Sequence, residues 1–206
     1  MKVSNQGVFQ NVTANSKIAM VNNRLGNPSL KKNQGSSVEI WDYQIVTATI
    51  GTAQTIRFFT NVNTKNFPFT NIQQAQLQVG ESLAIQYLCF SRLEVEKASG
   101  KISTQTPINA TITGLSLCNV SFLLDNSRII KNNSLTRTNS VFNPKGGTAS
   151  NYLFYPDTDL TLPPQITFSC ELTIPANTDA NTTDFDTYYG CHLFGTGAIL
   201  NLKTNV

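Results

Sequence analysis

His192 is the only histidine of the 206-residue chain, and it lies in the apolar run GCHLFG at residues 190–195. A catalytic triad needs a presented nucleophile and an orienting carboxylate as well as a histidine, and the sequence marks neither. Cys191 is adjacent to His192, but neighbouring residues of a strand point to opposite faces, so the two cannot form a Cys–His dyad within one strand. We therefore predict a buried or half-buried strand histidine and a protein that is not an enzyme.

Two acidic clusters are candidates for a metal site: PDTDL at residues 156–160 and TDANTTDFDTYYG at residues 178–190. Carboxylates on loops of β-sandwiches bind Ca²⁺, but the spacing of the helical calcium loop is absent. Asp, Asn and Thr are also the residues that form exposed turns. We predict turns here, and neither a metal nor any other cofactor. The alternative is a Ca²⁺ site in one of the clusters, with either Asp157 and Asp159, or Asp179, Asp184 and Asp186, as candidate ligands.

The four cysteines lie far apart, each within an apolar stretch. They lack the paired short spacings of zinc and redox sites, so we predict reduced, buried thiols that pack as small hydrophobic side chains. The opening residues MKVSNQGVFQ contain no apolar segment of the kind found in secretory signals. This favours synthesis in the cytoplasm. The cysteines are Cys89, Cys118, Cys170 and Cys191.

The first 38 residues carry only positive charge: five basic residues precede the first acid, Glu39. Few large apolar residues accompany the Asn, Ser, Gly and Gln of this segment, so it cannot bury enough surface to fold alone. We predict an extended basic arm at residues 1–38 and a folded domain at residues 39–206. The alternative is a terminus that is solvated or clasps a partner, and whose charge is incidental. The basic residues, which we expect to face nucleic acid or a membrane, are Lys2, Lys17, Arg24, Lys31 and Lys32.

Alternating apolar residues, punctuated by Gly, Pro, Asn and Asp, predict an all-β domain of about eight antiparallel strands in a sandwich or barrel. Long helical periodicity is absent, and at most one short helix is expected, near residues 72–77. Gly195 and Gly197 indicate a bend or bulge in the last strand. The clearest predicted strands are VEIWDYQIVTATI (38–50), SLAIQYLCFSRLEV (82–95), the hairpin LSLCNVSFLLDNSRIIK (115–131), SNYLFY (150–155), QITFSCELTI (165–174) and CHLFGTGAILNL (191–202).

The predicted strand at residues 83–95 is apolar on both faces, so each face needs a cover. A second sheet covers one face, and either a neighbouring subunit or loops of the same chain cover the other. Charged residues make up only 13% of the chain, about half the usual share. Such a surface suits subunits that pack side by side, because fewer ions must be desolvated.

One candidate function is that of a non-catalytic carbohydrate-binding or adhesin-like β-sandwich module. The evidence for it is a set of aromatic residues that could stack on sugar rings. Trp41 lies within a predicted strand and is expected in the core. Tyr188 and Tyr189, interpreted as part of a polar loop, are the better candidates for a sugar-binding platform. Such a module can remain monomeric, whereas a protein whose subunits pack side by side should form symmetric oligomers.

The succession RFFTN, FPFTNI and LQVGESLAI within residues 57–95 resembles the jelly-roll capsid proteins of tailless icosahedral phages. The resemblance implies an antiparallel jelly-roll sandwich with an extended N-terminal arm. It also implies a virion structural protein, made in the host cytoplasm, that self-assembles into an icosahedral shell. Many members of this family carry two jelly rolls, whereas about 168 residues after the arm suit one roll better, with two small rolls as the alternative.

The resemblance also implies the partners of the chain. These are other copies of itself and other virion proteins, with no small-molecule substrate. In that family the N-terminal arm reaches beneath neighbouring subunits toward the genome or an internal membrane, which fits the acid-free first 38 residues.

Overall fold

The protein is described by a computed structural model, and the regular structure of its described residues consists of β-strands and a 3-10 turn at Val62–Thr64. The prediction of an all-β chain is confirmed within the described ranges. No helix forms at residues 72–77, where Gln76 and Leu77 make isolated β-bridges. The described residues are 36–107, 118–134, 139–140, 152–154, 156, 160–176, 181–199 and 202–203.

The strands differ widely in length, from two residues to fifteen. The two longest, β3 and β11, pair with each other along almost their whole length. In chain order the strands are β1 Ser36–Ile45, β2 Gln54–Phe58, β3 Ser82–Glu96, β4 Ile102–Pro107, β5 Asn119–Leu124, β6 Ser127–Ser134, β7 Asn139–Ser140, β8 Tyr152–Leu153, β9 Leu160–Leu162, β10 Phe168–Ile174 and β11 Phe185–Ala198.

Two antiparallel sheets contain most of these strands. The first, called here the five-stranded sheet, has the order β1-β11-β3-β4, and β9 pairs with β3 as well. The second, the four-stranded sheet, has the order β2-β10-β5-β6. β7 and β8 form a separate two-stranded ribbon.

The pairing of the strands is nested along the chain. β1 pairs with β11, β2 with β10, β3 with β9, and β5 with β6, all antiparallel. An early strand therefore pairs with a late strand, and each following pair lies inside the previous one in sequence. Two further pairings, β11 with β3 and β10 with β5, join these ribbons into the two sheets.

The hydrophobic core contains side chains from both sheets, which form one cluster. Alternation along each strand directs every second side chain into this core. Fully buried members from the five-stranded sheet include Ile40, Leu88 and Leu193, and members from the four-stranded sheet include Phe58 and Phe122. An all-β sandwich of two antiparallel sheets is thus the architecture of the described residues.

β1 begins and ends earlier than predicted. It starts at Ser36, so residues 36–38 belong to the sheet, where they pair with residues 195–197 of β11. It ends at Ile45 because the following threonines form a turn: the Thr52 hydroxyl donates to the carbonyl of Thr49 at 2.7 Å, and Gly51 has a φ of 82°. Threonine side chains that bond to nearby backbone compete with strand pairing in this way.

A β-bulge lies beside Gly195, but it belongs to β3 and not to the last strand, where it was predicted. Phe194 pairs with Tyr87 and Gly195 with Ile85, so Gln86 of β3 is the extra residue. The predicted hairpin at Asp125 and Asn126 is also present, and both residues have the positive φ angles, 46° and 61°, that tight hairpin turns require.

Candidate functional site

Three strands of the five-stranded sheet bring a polar cluster together on the face away from the core. Glu39 and Tyr43 lie two positions on either side of Trp41 in β1, His192 lies in β11, and Ser91 lies in β3. Alternation explains their common face, because their neighbours Ile40, Cys191 and Phe90 point into the core. We call Glu39, Tyr43, Ser91 and His192 the histidine cluster.

Both ring nitrogens of His192 have partners in the histidine cluster. Nδ1 lies 2.8 Å from Glu39 Oε1, and Nε2 lies 2.7 Å from Ser91 Oγ and 3.2 Å from the Tyr43 hydroxyl. Ser91 Oγ and the Tyr43 hydroxyl are 2.9 Å apart. Because a carboxylate only accepts hydrogen bonds, Nδ1 carries a proton toward Glu39.

The order Ser91–His192–Glu39 is that of a catalytic triad, but its exposure is the reverse of what catalysis needs. The acid is the most accessible member, with 38% of the Glu39 side chain exposed, whereas Ser91 is 6% exposed and bonded to the buried Tyr43. An acyl group must reach the nucleophile next to donors for the oxyanion. The arrangement is better suited to joining three strands than to acyl transfer.

Gly190 makes room for this arrangement. A Cβ atom at Gly190 would lie 2.5 Å from Tyr43 Cε1 and 2.7 Å from Ser91 Oγ. The missing side chain therefore lets the tyrosine ring lie over β11 and reach both the serine and the histidine.

A row of stacked rings continues from the histidine cluster across the same face. The centroid of His192 lies 6.3 Å from that of Trp41 on β1 and 6.3 Å from that of Phe194. Phe194 in turn stacks on Tyr87 of β3 at 4.7 Å, with an interplanar angle of 20°. Trp41, Phe194 and Tyr87 are half-buried. We call Trp41, His192, Phe194 and Tyr87 the ring row.

The sequence predicts Trp41 in the core because it lies within a strand, but Trp41 is not a residue of the main core. It lies on the outer face, and its indole Nε1 donates to the carbonyl of Pro68 at 2.8 Å. The segment after Pro68 also covers the edge of β1, because the Tyr43 amide donates to the carbonyl of Phe69 at 2.7 Å. Loop residues of the same chain thus cover part of this face.

The predicted loop position of Tyr188 and Tyr189 is wrong, because both residues lie in β11, where they pair with β1 and β3. Tyr189 is 2% exposed and belongs to the core. Tyr188 packs against Phe69 with ring centroids 4.9 Å apart. Burial raises the pKa of the Tyr188 hydroxyl, and the charge of Asp186 adds to this rise. The two rings do not form a shared platform for a sugar.

The acidic clusters are only partly described. Asp157, Asp159 and Asp179 lie outside the described residues. Asp184 is exposed, and Asp186 Oδ1 lies 3.4 Å from Lys97 Nζ. Among the residues that can be described, no group of three or more His, Cys, Asp or Glu side chains comes together to hold a metal.

The cysteines are free thiols. Cys118, Cys170 and Cys191 are buried as predicted, whereas Cys89 is half-buried beside the histidine cluster, where it pairs with His192 in the register of the sheet. Burial raises the pKa of Cys89 to about 12 and that of Cys118 to about 11, and the charge of Glu39 adds to the effect at Cys89. Thiols with such raised pKa values are poor nucleophiles at neutral pH.

The basic residues assigned to the arm lie outside the described ranges, so their prediction as a nucleic-acid or membrane contact stands as made. They are Lys2, Lys17, Arg24, Lys31 and Lys32.

Comparisons with protein-family models, curated proteins and solved structures find no match to this chain. In the described part of the chain, no helix has the length and apolar character needed to cross a membrane. The fold, the faces of its sheets and their contacts are therefore the basis for inferring function.

Proposed function

We propose that this protein is a virion structural subunit with a single jelly roll, and that it assembles with copies of itself into a shell. The observation that carries the proposal is the nested pairing of β1 with β11, β2 with β10, β3 with β9, and β5 with β6. A jelly roll arises when a long antiparallel ribbon folds over on itself, which pairs the strands from the outside of the sequence inward. Viral capsid subunits and lectins are built on this fold.

The virion function draws further support from the segment that resembles the phage capsid family. RFFTN overlaps β2, FPFTNI covers the edge of β1, and LQVGESLAI leads into β3. The resembling residues therefore belong to adjoining parts of the sandwich. Sugar binding stays the alternative, with less support now that Tyr188 packs on Phe69 and Tyr189 is buried.

The ring row is the surface through which we expect neighbouring subunits to meet. It lies on β1, β11 and β3, three neighbouring strands of the five-stranded sheet. Half-buried aromatic side chains are enriched in interfaces, because they bury large areas at little cost in conformational entropy. We assign the histidine cluster a non-catalytic role, which is to hold the three strands beneath this surface in register.

Serine substitutions at Tyr87 and Phe194 test this role in assembly. The double variant Tyr87→Ser, Phe194→Ser should lose about 2 kcal/mol or more of association free energy per contact, and its oligomers should dissociate at concentrations at which the unchanged protein remains assembled. Size-exclusion chromatography with light scattering, and negative-stain microscopy, measure the change.

The matched control is Phe185→Ser, an aromatic-to-serine change on β11, the strand of Phe194. Phe185 is half-buried but lies outside the ring row. It should assemble like the unchanged protein. An unchanged protein that stays monomeric at all accessible concentrations would refute the shell function. Equal loss of assembly in the control and the double variant would refute the role of the ring row.

Deletion of residues 1–35 tests the proposed arm, and the cut spares β1, which begins at Ser36. We expect circular dichroism to show the same β-sheet content, because the described strands pair with one another. We also expect assembly to weaken. If the arm contacts nucleic acid or lipid headgroups, assembly of the full chain should also weaken as salt rises. A truncated chain that does not fold would place the arm within the domain. One that assembles normally would remove the arm's role.

A further inference from the structure

The outer face of the four-stranded sheet carries two arginines held by one glutamate. Arg57 of β2 donates from Nε to Glu171 Oε1 at 2.9 Å, and its Nη2 contacts the same oxygen. Arg128 of β6 donates from Nη2 to Glu171 Oε2 at 3.2 Å. Glu171 lies on β10, directly opposite Arg57 in the register. We call Arg57 and Arg128 the arginine pair.

The glutamate is buried beneath the arginines, which remain accessible. The side chain of Glu171 is 9% exposed, whereas those of Arg57 and Arg128 are each 52% exposed. Burial alone would raise the pKa of Glu171, but the hydrogen bonds and charges of the two arginines hold it below its ordinary value. The carboxylate thus fixes the positions of two cations while cancelling the charge of only one.

The strands of this sheet carry further positive charge and small polar groups. In the described residues of its four strands, the charged side chains are Arg57, Arg128, Lys131 and Glu171, which leaves an excess of two positive charges. The hydroxyls of Thr55 and Thr173 lie 3.3 Å apart beside the pair, on the same two strands as Arg57 and Glu171.

We propose that the arginine pair binds the phosphodiester backbone of a nucleic acid. A guanidinium group has five N–H donors, and the bonds to Glu171 use two of Arg57 and one of Arg128. The planar donors of arginine match the oxygens of a phosphate group. The excess of two positive charges on the described strands of this sheet matches the negative charge of a chain of phosphates. This site is separate from the ring row and does not depend on the shell function.

The test measures binding of the full-length protein to a short fluorescein-labelled oligothymidylate by fluorescence anisotropy over a range of salt concentrations. Single-stranded DNA contributes a salt slope of about −0.7 for each neutralised phosphate. The double variant Arg57→Gln, Arg128→Gln should therefore bind about tenfold or more weakly at low salt and reduce the slope by about 1.4.

The matched control removes two cations near the other sheet, Arg92 of β3 and Lys97, which directly follows β3. Arg92 pairs with Glu94 at 2.7 Å, and Lys97 pairs with Asp186. The variant Arg92→Gln, Lys97→Gln has the same net charge as the arginine variant and should retain binding close to that of the unchanged protein. Equal loss of binding in both double variants would mean that only net charge matters, which would overturn the proposal.

Glu171→Gln separates a positioned pair from a diffuse positive field. It removes a negative charge, so a diffuse field predicts tighter binding, whereas loss of the anchor of Arg57 and Arg128 predicts weaker binding. If this variant does not fold, the variant Arg57→Lys, Arg128→Lys decides instead, because lysine keeps the charge without the planar donors. Weaker binding supports the proposal, and unchanged or tighter binding overturns it. Binding of the variant Arg57→Gln, Arg128→Gln to phosphatidylglycerol vesicles is measured as well. If this variant loses vesicle binding but binds the oligonucleotide as before, the face contacts a membrane, and the proposal of a nucleic-acid site is overturned.

Discussion

Replacement of Lys65 by methionine should destabilise the fold by about 3–5 kcal/mol, because it leaves a buried carboxylate without its cation. Asp42 is completely buried in β1, and Lys65 Nζ donates to its two oxygens at 2.8 and 2.9 Å. The Phe59 amide and the Gln44 side chain also donate to Asp42, each at 2.8 Å. This carboxylate therefore joins β1 to the chain that follows β2. Urea denaturation followed by tryptophan fluorescence measures the loss.

The pH dependence of this loss identifies its cause. Burial raises the pKa of Asp42, and Lys65 opposes that rise. Without the lysine, the folded-state pKa of Asp42 should rise further above its unfolded value. At a pH between the unfolded-state and folded-state pKa of Asp42, the folded variant binds more protons than the unfolded chain. The free energy of unfolding of the variant therefore falls as pH rises through this window and recovers as pH falls. The deficit of the variant should therefore shrink in mild acid.

Two further variants serve as controls for Lys65→Met. Lys97→Met removes an exposed ion pair with Asp186 and should cost less than about 1 kcal/mol. The double variant Asp42→Asn, Lys65→Met removes both charges and should recover much of the lost stability. If Lys65→Met costs no more than Lys97→Met, or if its deficit is the same at every pH, the buried charge is not what makes the lysine necessary.

Much of the sandwich was predictable because it depends on local pattern. Alternation assigns Ile40 and Leu193 to the core, and their neighbours to the outer face. The Asp125–Asn126 turn was predictable because these residues tolerate positive φ angles. The ends of strands were less predictable, since Thr49 and Thr52 favour strands by their β-branching and form a turn by their hydrogen bonds.

The histidine cluster was not predictable from local pattern. Ser91 and Glu39 lie 101 and 153 residues from His192 in sequence, so their meeting depends on the register of three non-consecutive strands. Tyr188 and Tyr189 were misplaced for a related reason. The polar residues before them are typical of a loop, but pairing with β1 and β3 extends the sheet through both tyrosines. Sequence periodicity gives the face of each side chain but not its partner across the sheet.

Gly195→Ala should destabilise the protein by about 3 kcal/mol or more, at the upper end of the cost of overpacking. A Cβ atom at this position would lie 2.0 Å from the carbonyl oxygen of Ala84 and 2.8 Å from its carbonyl carbon. These are backbone atoms of β3, so no side-chain rotation removes the clash. β3 cannot move aside freely, because β9 pairs with its other edge at the same residues, Leu83 to Ile85. Urea denaturation gives the loss in unfolding free energy.

Gly100→Ala is the comparison for this effect, because a Cβ atom there meets nothing within 4 Å and only the φ of +67° opposes it. That backbone strain costs about 1–2 kcal/mol. The register shift between β11 and β3 directly follows the Phe194–Tyr87 pair, so any opening of β11 from β3 should also separate Phe194 from Tyr87 and weaken assembly. Near-ultraviolet circular dichroism reports on the packing of these rings. If Gly195→Ala loses no more stability than Gly100→Ala and keeps the aromatic signal, the close approach of the two strands is not required for the fold or for the ring row.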